Sequence, residues 1–543
     1  MAEHDTSRFF RRAGANLGRV FRKAAARAAL PRRGRAWLAV RLSGAVPELA
    51  PPRLWGRSPR LGLFELLRTL ESAADDPNIA GVVLRFEQPL EGWSRVLSLR
   101  RAVDHLRERG KHVIAYGEVL GAESLVVASG ADKLWMPQTG SVLLVGLRVE
   151  GFFIKRLLDR FGIRPEVLRV GSHKTAGDRF VRESMSPEER EQLGGLADDL
   201  FEALIDSIAT GRGMAPDAVR DVIDRGPFSA AAAESEGLSD GCLYPDEVER
   251  ELVRLAPDTT SKGDDELPQL LDARLYHALV VGDPGWRPLW ADLPRIAYVV
   301  GMGTIHRGRG TRGIASETFR EIFERIRRDD RIQGVVLRLD SPGGDGVASD
   351  LLWRSISRVS EKKPVVVSMG DVAASGGYYM AAAADFVLAE AGTITGSIGV
   401  VGGKIDLQGA YQRLGVVKDG VERGAHAGIF SEARGYTGDE RAAVQGLLDA
   451  VYDSFVDRVA EGRNLSREAV ARVAQGKIWS GVRAQTHGLV DGLGGPLDAL
   501  AEVRRRAGLL DTDRFLLDFY PRLPAIPSLF SLLRLLPGRM ELW

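Results

Sequence analysis

The sequence predicts an α/β protein built from two tandem copies of one domain, each with a mostly parallel sheet. Three observations carry this: a long internal repeat in constant register, short apolar runs alternating with amphipathic ones, and a polar stretch between the copies. The repeat comes first. Ile79-Ala-Gly-Val-Val-Leu-Arg85 returns as Ile332-Gln-Gly-Val-Val-Leu-Arg338, 253 residues further on. The same 253-residue shift brings Gly117 onto Gly370, Asp132 onto Asp385, Arg160-Phe-Gly-Ile163 onto Arg413-Leu-Gly-Val416, and Gly171 onto Gly424. Gly211-Arg212 and Gly237-Leu238 then match Gly462-Arg463 and Gly488-Leu489 at a shift of 251. One register held over so long a stretch is two copies of a domain.

Within each copy the elements follow in order. Residues 82–86 and 335–339 are short apolar runs suited to strands buried on both faces. Amphipathic helices flank them, for example over 316–328 and 348–359. Residues 112–116 and 365–369 are the next strands, each entering a turn and an Ala/Gly-rich helix. The boundaries expected are a basic segment over 1–36, domain one over 37–257, a linker region over 258–290, domain two over 291–505 and an apolar tail over 506–543. The linker is read from the polar run 258–268. In the tail, residues 526–536 carry Phe530, Leu532, Leu533 and Leu535, a pattern read first as packing.

Composition excludes several classes. Lys+Arg 74 against Asp+Glu 73 gives no electrostatic reason to expect a nucleic-acid partner. One cysteine, Cys242, rules out an internal disulfide framework and a multi-cysteine metal site. The charge is uneven, though. Residues 1–36 hold Arg8, Arg11, Arg12, Arg19, Arg22, Lys23, Arg27, Arg32, Arg33 and Arg35 against Glu3 and Asp5. Phe9, Phe10, Leu17, Val20, Phe21 and Ala24 can share one helix face there. Such a segment suits an anionic membrane surface, and equally a solvated basic arm. No run approaches the ~20 apolar residues that span a bilayer. No uninterrupted apolar stretch follows the basic start, so a cleavable signal is not expected.

The differences between the copies are chemically pointed. After its strand, copy two has Asp340-Ser-Pro-Gly-Gly-Asp345, where copy one has Glu87-Gln-Pro-Leu-Glu-Gly92. Paired glycines leave backbone N–H groups open to an oxyanion, although Pro-Gly-Gly alone is merely a turn. Ser375, in Ala373-Ala-Ser-Gly-Gly377, faces Ala122 across the repeat. A serine at a helix start is more often a cap than a nucleophile, yet here glycines follow it and Gly376 offers a further N–H. Lys174 in Gly171-Ser-His-Lys174 meets Ala427 in Gly424-Ala-His-Ala427. Copy one keeps a lysine and lacks the serine, and copy two the reverse. A single catalytic pair divided between domains explains both losses. His173 and His426 recur in both copies and are read as structural. Sequence order alone leaves a histidine base open.

Asp340-Ser-Pro-Gly-Gly344, Ala374-Ser-Gly-Gly-Tyr378, Thr395-Gly-Ser-Ile-Gly-Val400 and Val170-Gly-Ser-His-Lys-Thr-Ala176 together resemble the signal peptide peptidase A family, or protease IV, in its long tandem form. The similarity covers roughly residues 37–505. The resemblance implies the ClpP/crotonase-like fold in both domains, a Ser375–Lys174 dyad, Gly343, Gly344 and Gly376 around an oxyanion hole, and Ser397 as the hydroxyl orienting the lysine. It also implies cleavage of signal peptides left in the membrane, no metal or nucleotide cofactor, and a homotetrameric ring. The sequence departs from the pattern in one respect: no N-terminal spanning anchor is legible, and peripheral attachment through 1–36 to a bacterial membrane, on a side left open, is expected instead. Two other classes compete. A crotonase-type acyl-CoA hydratase or isomerase shares the oxyanion design, and the reciprocal Ser/Lys losses argue against it. The retained Ser375, Lys174 and glycines argue against a catalytically silent scaffold. If 1–36 binds anionic lipid, full-length protein floats with anionic vesicles in a salt-sensitive way and a truncation starting near Arg35 does not. Equal flotation of the two would move the membrane contact elsewhere.

Overall fold

The computed structural model describes residues 35–49, 60–261, 264–281, 292–510 and 513–521, with a few positions between 13 and 24. The basic segment 1–36 lies almost wholly outside the described residues, and the apolar run 526–536 lies outside them entirely. No helix among the described residues is long and apolar enough to cross a membrane.

Each repeat has its own sheet, and the two sheets follow one plan. In the first, the strands run Leu270–Asp272, Ala36–Ala45, Ile79–Glu91, His112–Gly117, Lys133–Met136 and Gly241–Cys242, every neighbour parallel. In the second, Leu516–Tyr520, Arg295–Met302, Ile332–Ser341, Val365–Ala374, Phe386–Ala389 and Gly492–Leu493 run parallel in the same way, and Ile394–Gly396 adds a parallel strand beside the end of Val365–Ala374 that takes Ile478–Ser480 antiparallel at its edge. Val335, Val336, Leu337 and Leu339 are fully buried, which is why this run reads as continuously apolar. Helices cover the faces. Ser316–Arg328 buries Phe319, Ile322, Phe323 and Ile326, the stripe expected of a 3.6-residue period. Gly346–Ser360 starts at Asp345, whose carboxylate accepts the Ala348 N–H.

The stretch expected as a linker is partly structural. Leu270–Asp272 forms the edge strand of the first sheet, and Ala273–Tyr276 follows as a helix that buries Tyr276. Likewise Leu516–Tyr520, inside the expected tail, is the matching edge of the second sheet. A strand as short as the first leaves no alternation to read, so the polar run before it dominated the sequence signal.

The repeats are joined through their cores as well as their surfaces. Phe64, from the first-repeat helix Leu63–Asp75, stacks on Tyr298 and Phe519 of the second sheet, at centroid distances of 4.4 and 5.8 Å. Beside them Arg338 sits in the middle of a strand with no exposure. It donates to both oxygens of Glu48, at 2.9 and 2.8 Å, and to Ser368 Oγ and the Met369 carbonyl. Glu48 comes from the first repeat, just past the strand Ala36–Ala45, and it too is fully buried in the pair. Arg95 Nε lies 3.5 Å from the Glu48 carboxylate, and removing Arg338 strips that buried carboxylate of both its arginine hydrogen bonds. Arg338→Met should therefore cost about 3–5 kcal/mol, and adding Glu48→Gln should recover much of it. Thermal melts of the single and double variants check this, and equal loss in both would mean the pair is not coupled.

Candidate active site

The Val365–Ala374 strand ends at Ser375, and the helix Gly376–Ala381 begins at the next residue. Ser375 has φ 54° and ψ −120°, and its hydroxyl caps no backbone N–H of that helix. The capping alternative is thus not what the side chain does. A non-glycine residue held there carries strain on the order of 1–3 kcal/mol, persisting only where the surroundings impose it. At the equivalent place in copy one the helix begins at Ala122 itself, after Gly121 in an ordinary extended conformation. Copy one has lost the sharp turn along with the serine.

Lys174 reaches this turn from the other repeat. The strand Arg164–Val170 pairs antiparallel with Val400–Asp406, from Arg164 opposite Asp406 to Val170 opposite Val400. The chain then turns through Gly171 (φ +107°), where a side chain would overlap the Gln475 backbone. The His173 N–H donates to the Gln475 carbonyl at 2.8 Å. Lys174 Nζ ends 3.0 Å from Ser375 Oγ, 2.8 Å from the Ser397 carbonyl and 2.9 Å from Ser397 Oγ. The residue is 5% exposed. Burial disfavours the ammonium and pulls the lysine pKa down to about 8.

The glycine loop faces the same point. A side chain at Gly343 would strike the Gly376 nitrogen and Ser375 Cβ, so the loop lies directly against the serine turn. The Gly343 N–H is occupied by Ser341 Oγ at 3.2 Å, and Ser341 in turn donates to the Gly303 carbonyl at 2.6 Å. Gly344 has its nitrogen near Gly376, and the N–H groups of Gly344 and Gly376 meet no acceptor among the described residues. All six residues singled out in the sequence therefore lie around one point, with Gly343 supplying shape and the other two glycines supplying free donors. His173 instead faces Ser172 and Glu191, and His426 lies in an exposed loop.

Two elements of the site had no visible mark in the sequence. Gly476 (φ +77°) lies so close to the lysine that a side chain there would come within 2.5 Å of the Lys174 nitrogen. Arg95, from the first-repeat helix Trp93–Glu108, pairs with both Asp340 and Asp371. These aspartates begin the glycine loop and the serine turn, and burial raises the pKa of each against the opposing pull of Arg95. The signal that finds such positions is conformational. Among the described residues the non-glycine positions with positive φ are Ser375, Ser397, Asn464 and Gln475; the first two contact the amine, and Gln475 meets the backbone of the lysine turn.

Comparison with known proteins agrees with the geometry. Peptidase family S49 matches the chain twice, over residues 105–257 and 357–510. Serine protease SPPA, chloroplastic, from Arabidopsis thaliana is 33% identical over 83% of this chain and 66% of its own length. Protease 4 from Salmonella typhi is 30% identical over 86% of this chain and 74% of its own length, and protease 4 from Haemophilus influenzae is 30% identical over 80% and 71%. Each matched stretch takes in strands of one of the two parallel sheets, so the chain is two successive α/β domains of one plan. With a family match in each repeat and relatives along most of its length, the chain belongs to peptidase family S49 and is a serine-type peptidase.

Proposed function

We propose that the protein is an endopeptidase that degrades hydrophobic peptides, residual signal peptides among them, at a bacterial membrane surface, using Ser375 as nucleophile and Lys174 as general base. The observation that carries this reading is the way the lysine's hydrogen bonds divide. A neutral amine has two N–H groups and one lone pair. Ser397 offers two acceptors, its carbonyl and its hydroxyl, so both N–H groups are taken and the lone pair is left for the Ser375 O–H. The lysine takes that proton as Oγ attacks a peptide carbonyl, and the N–H groups of Gly344 and Gly376 receive the developing oxyanion. The lysine then protonates the leaving amine. Water, deprotonated by the same amine, opens the acyl-enzyme. Apolar side chains stand exposed on the elements that carry the site, Met302 beside Asp340 in the sheet, Val347 just past the glycine loop and Val401 opposite the lysine strand. They favour apolar substrates.

The same repeat logic supports a homotetrameric ring. The pairing of Arg164–Val170 with Val400–Asp406 uses one segment from each repeat. Shifted by 253 residues, its counterparts are 417–423 and 147–153, which lie outside any strand and expose Val417 (88%), Val421 (84%) and Phe152 (90%). Segment 147–153 of one chain joined to 417–423 of the next repeats the internal seam between subunits and closes head to tail. Val417→Asp with Val421→Asp should then give monomers by light scattering, and an unchanged mass would place the contact elsewhere.

Ser375→Ala and Lys174→Ala should each lower hydrolysis of a hydrophobic peptide by roughly 10³-fold or more while the circular dichroism spectrum stays that of the parent. Near-normal turnover in either removes the dyad. Because the base works only when neutral, kcat/KM should rise with pH, reaching half its maximum near the lysine value of about 8. A rise centred near the ordinary histidine value of about 6.5 would indicate a histidine base.

A further inference from the structure

Gln192 lies in the second turn of the helix Pro187–Arg212, 6% exposed, and touches no reacting atom. Its side-chain amide has three partners, two on the backbone and one a threonine hydroxyl. Nε2 donates to the His173 carbonyl at 3.3 Å and to Thr175 Oγ1 at 2.9 Å, which are the residues on either side of Lys174. Oε1 accepts the N–H of Ile478 at 3.2 Å, from the second repeat. Amide orientation is fixed by this set, because the flipped amide would oppose carbonyl to carbonyl and N–H to N–H.

From Ile478 the contacts run on to the amine. Ile478–Ser480 pairs antiparallel with Ile394–Gly396, Ile478 opposite Gly396, and Ser397 follows directly. The Ser397 N–H donates to the Lys477 carbonyl at 2.8 Å, and the Ser397 carbonyl and hydroxyl receive Lys174 Nζ. A closed circuit thus runs from the lysine backbone through Gln192, Ile478, Lys477 and Ser397 to the lysine's own amine. The first-repeat half of the circuit carries the base, and the second-repeat half carries the acceptors that aim it. The halves also meet through the backbone contact of His173 with Gln475 and through the exposed Glu191 carboxylate shared by His173 and Lys477, and Gln192 is the buried side chain that joins them.

We infer that Gln192 is a positioning residue, holding Lys174 at the serine by tying the lysine turn of one repeat to the Ser397 loop of the other. The inference rests on the Ser375–Lys174 reading and adds to it a residue that acts through the base. Without the amide, the two halves of the circuit separate by tenths of an ångström or more. The lone pair then leaves the line to Ser375, and water gains access to the amine.

The test uses the full-length chain. Gln192→Met keeps the length of the side chain and removes all three hydrogen bonds. It should lower kcat by about 10- to 100-fold, the scale of a small misplacement of a catalytic group, while leaving KM within roughly twofold. Hydration of the amine should also move the midpoint of the pH profile upward by about half a unit or more. Asp199→Asn serves as comparison. Asp199 lies two turns along the same helix and bridges the same seam, accepting from Arg483 at 2.7 and 2.9 Å and from Ser480. Loss of that bridge should lower the melting temperature and leave the pH midpoint unmoved. Unchanged kcat and midpoint in Gln192→Met, or an equal midpoint shift in Asp199→Asn, overturns the inference. Should Gln192→Met fail to fold, Gln192→Asn, which withdraws the amide by one methylene, must show the same direction of change. Lys174→Ala is assayed alongside. Turnover surviving there defeats the dyad itself, whereas an unshifted Gln192→Met profile beside an inactive Lys174→Ala defeats only the role of Gln192.

Discussion

The antiparallel seam between Arg164–Val170 and Val400–Asp406 governs the rest of the site. Strand pairing fixes register, and a slip of one residue would turn every side chain to the opposite face. Here the register decides where the turn after Val170 lands, hence whether a lysine amine or empty space stands before Ser375. The surrounding features serve that placement. Gly171 and Gly476 let two backbones meet without side chains between them, and Gln475 accepts the left-handed conformation that close approach demands.

Electrostatics along the seam works at two depths. At the surface, Lys477 and His173 share Glu191, contacts that solvent screens. Deeper, the Glu48–Arg338 pair is sealed from water, and Arg95 holds Asp340 and Asp371 close by. Buried charges of this kind penalise any docking that leaves one unmatched. They add little net stability and much selectivity for one arrangement of the repeats. Lys174 is the exception. No carboxylate among the described residues pairs with its amine, and burial unopposed by a counter-charge lowers its proton affinity. The ionic contacts therefore stay at the roots of the glycine loop and the serine turn and away from the lysine amine.

Much of this was legible in the sequence because the chain carries its own comparison. The repeat showed Ser375 against Ala122 and Lys174 against Ala427, and a difference between two copies of one fold is a difference in chemistry. The buried strands 82–86 and 335–339 were legible because burial on both faces leaves a continuous apolar run. Other features had no such mark. Leu270–Asp272 is too short for any period to show. Gln192 looks like any polar helix residue until its three partners, distant in the chain, are brought together. Gly343 was grouped with Gly344 as a donor, and only the Ser341 hydroxyl separates their roles.

Arg95 links the roots of the glycine loop and the serine turn to a helix of the first repeat, the same repeat that delivers Lys174. During synthesis the first repeat emerges with Lys174 and without the serine that its amine meets. The second emerges with a serine whose lysine neighbour, and whose loop anchor, come from another domain. Neither repeat alone therefore holds both the serine and the lysine amine, and the two side chains meet only across the docked repeats. Docking of the repeats is the event that brings the two side chains together.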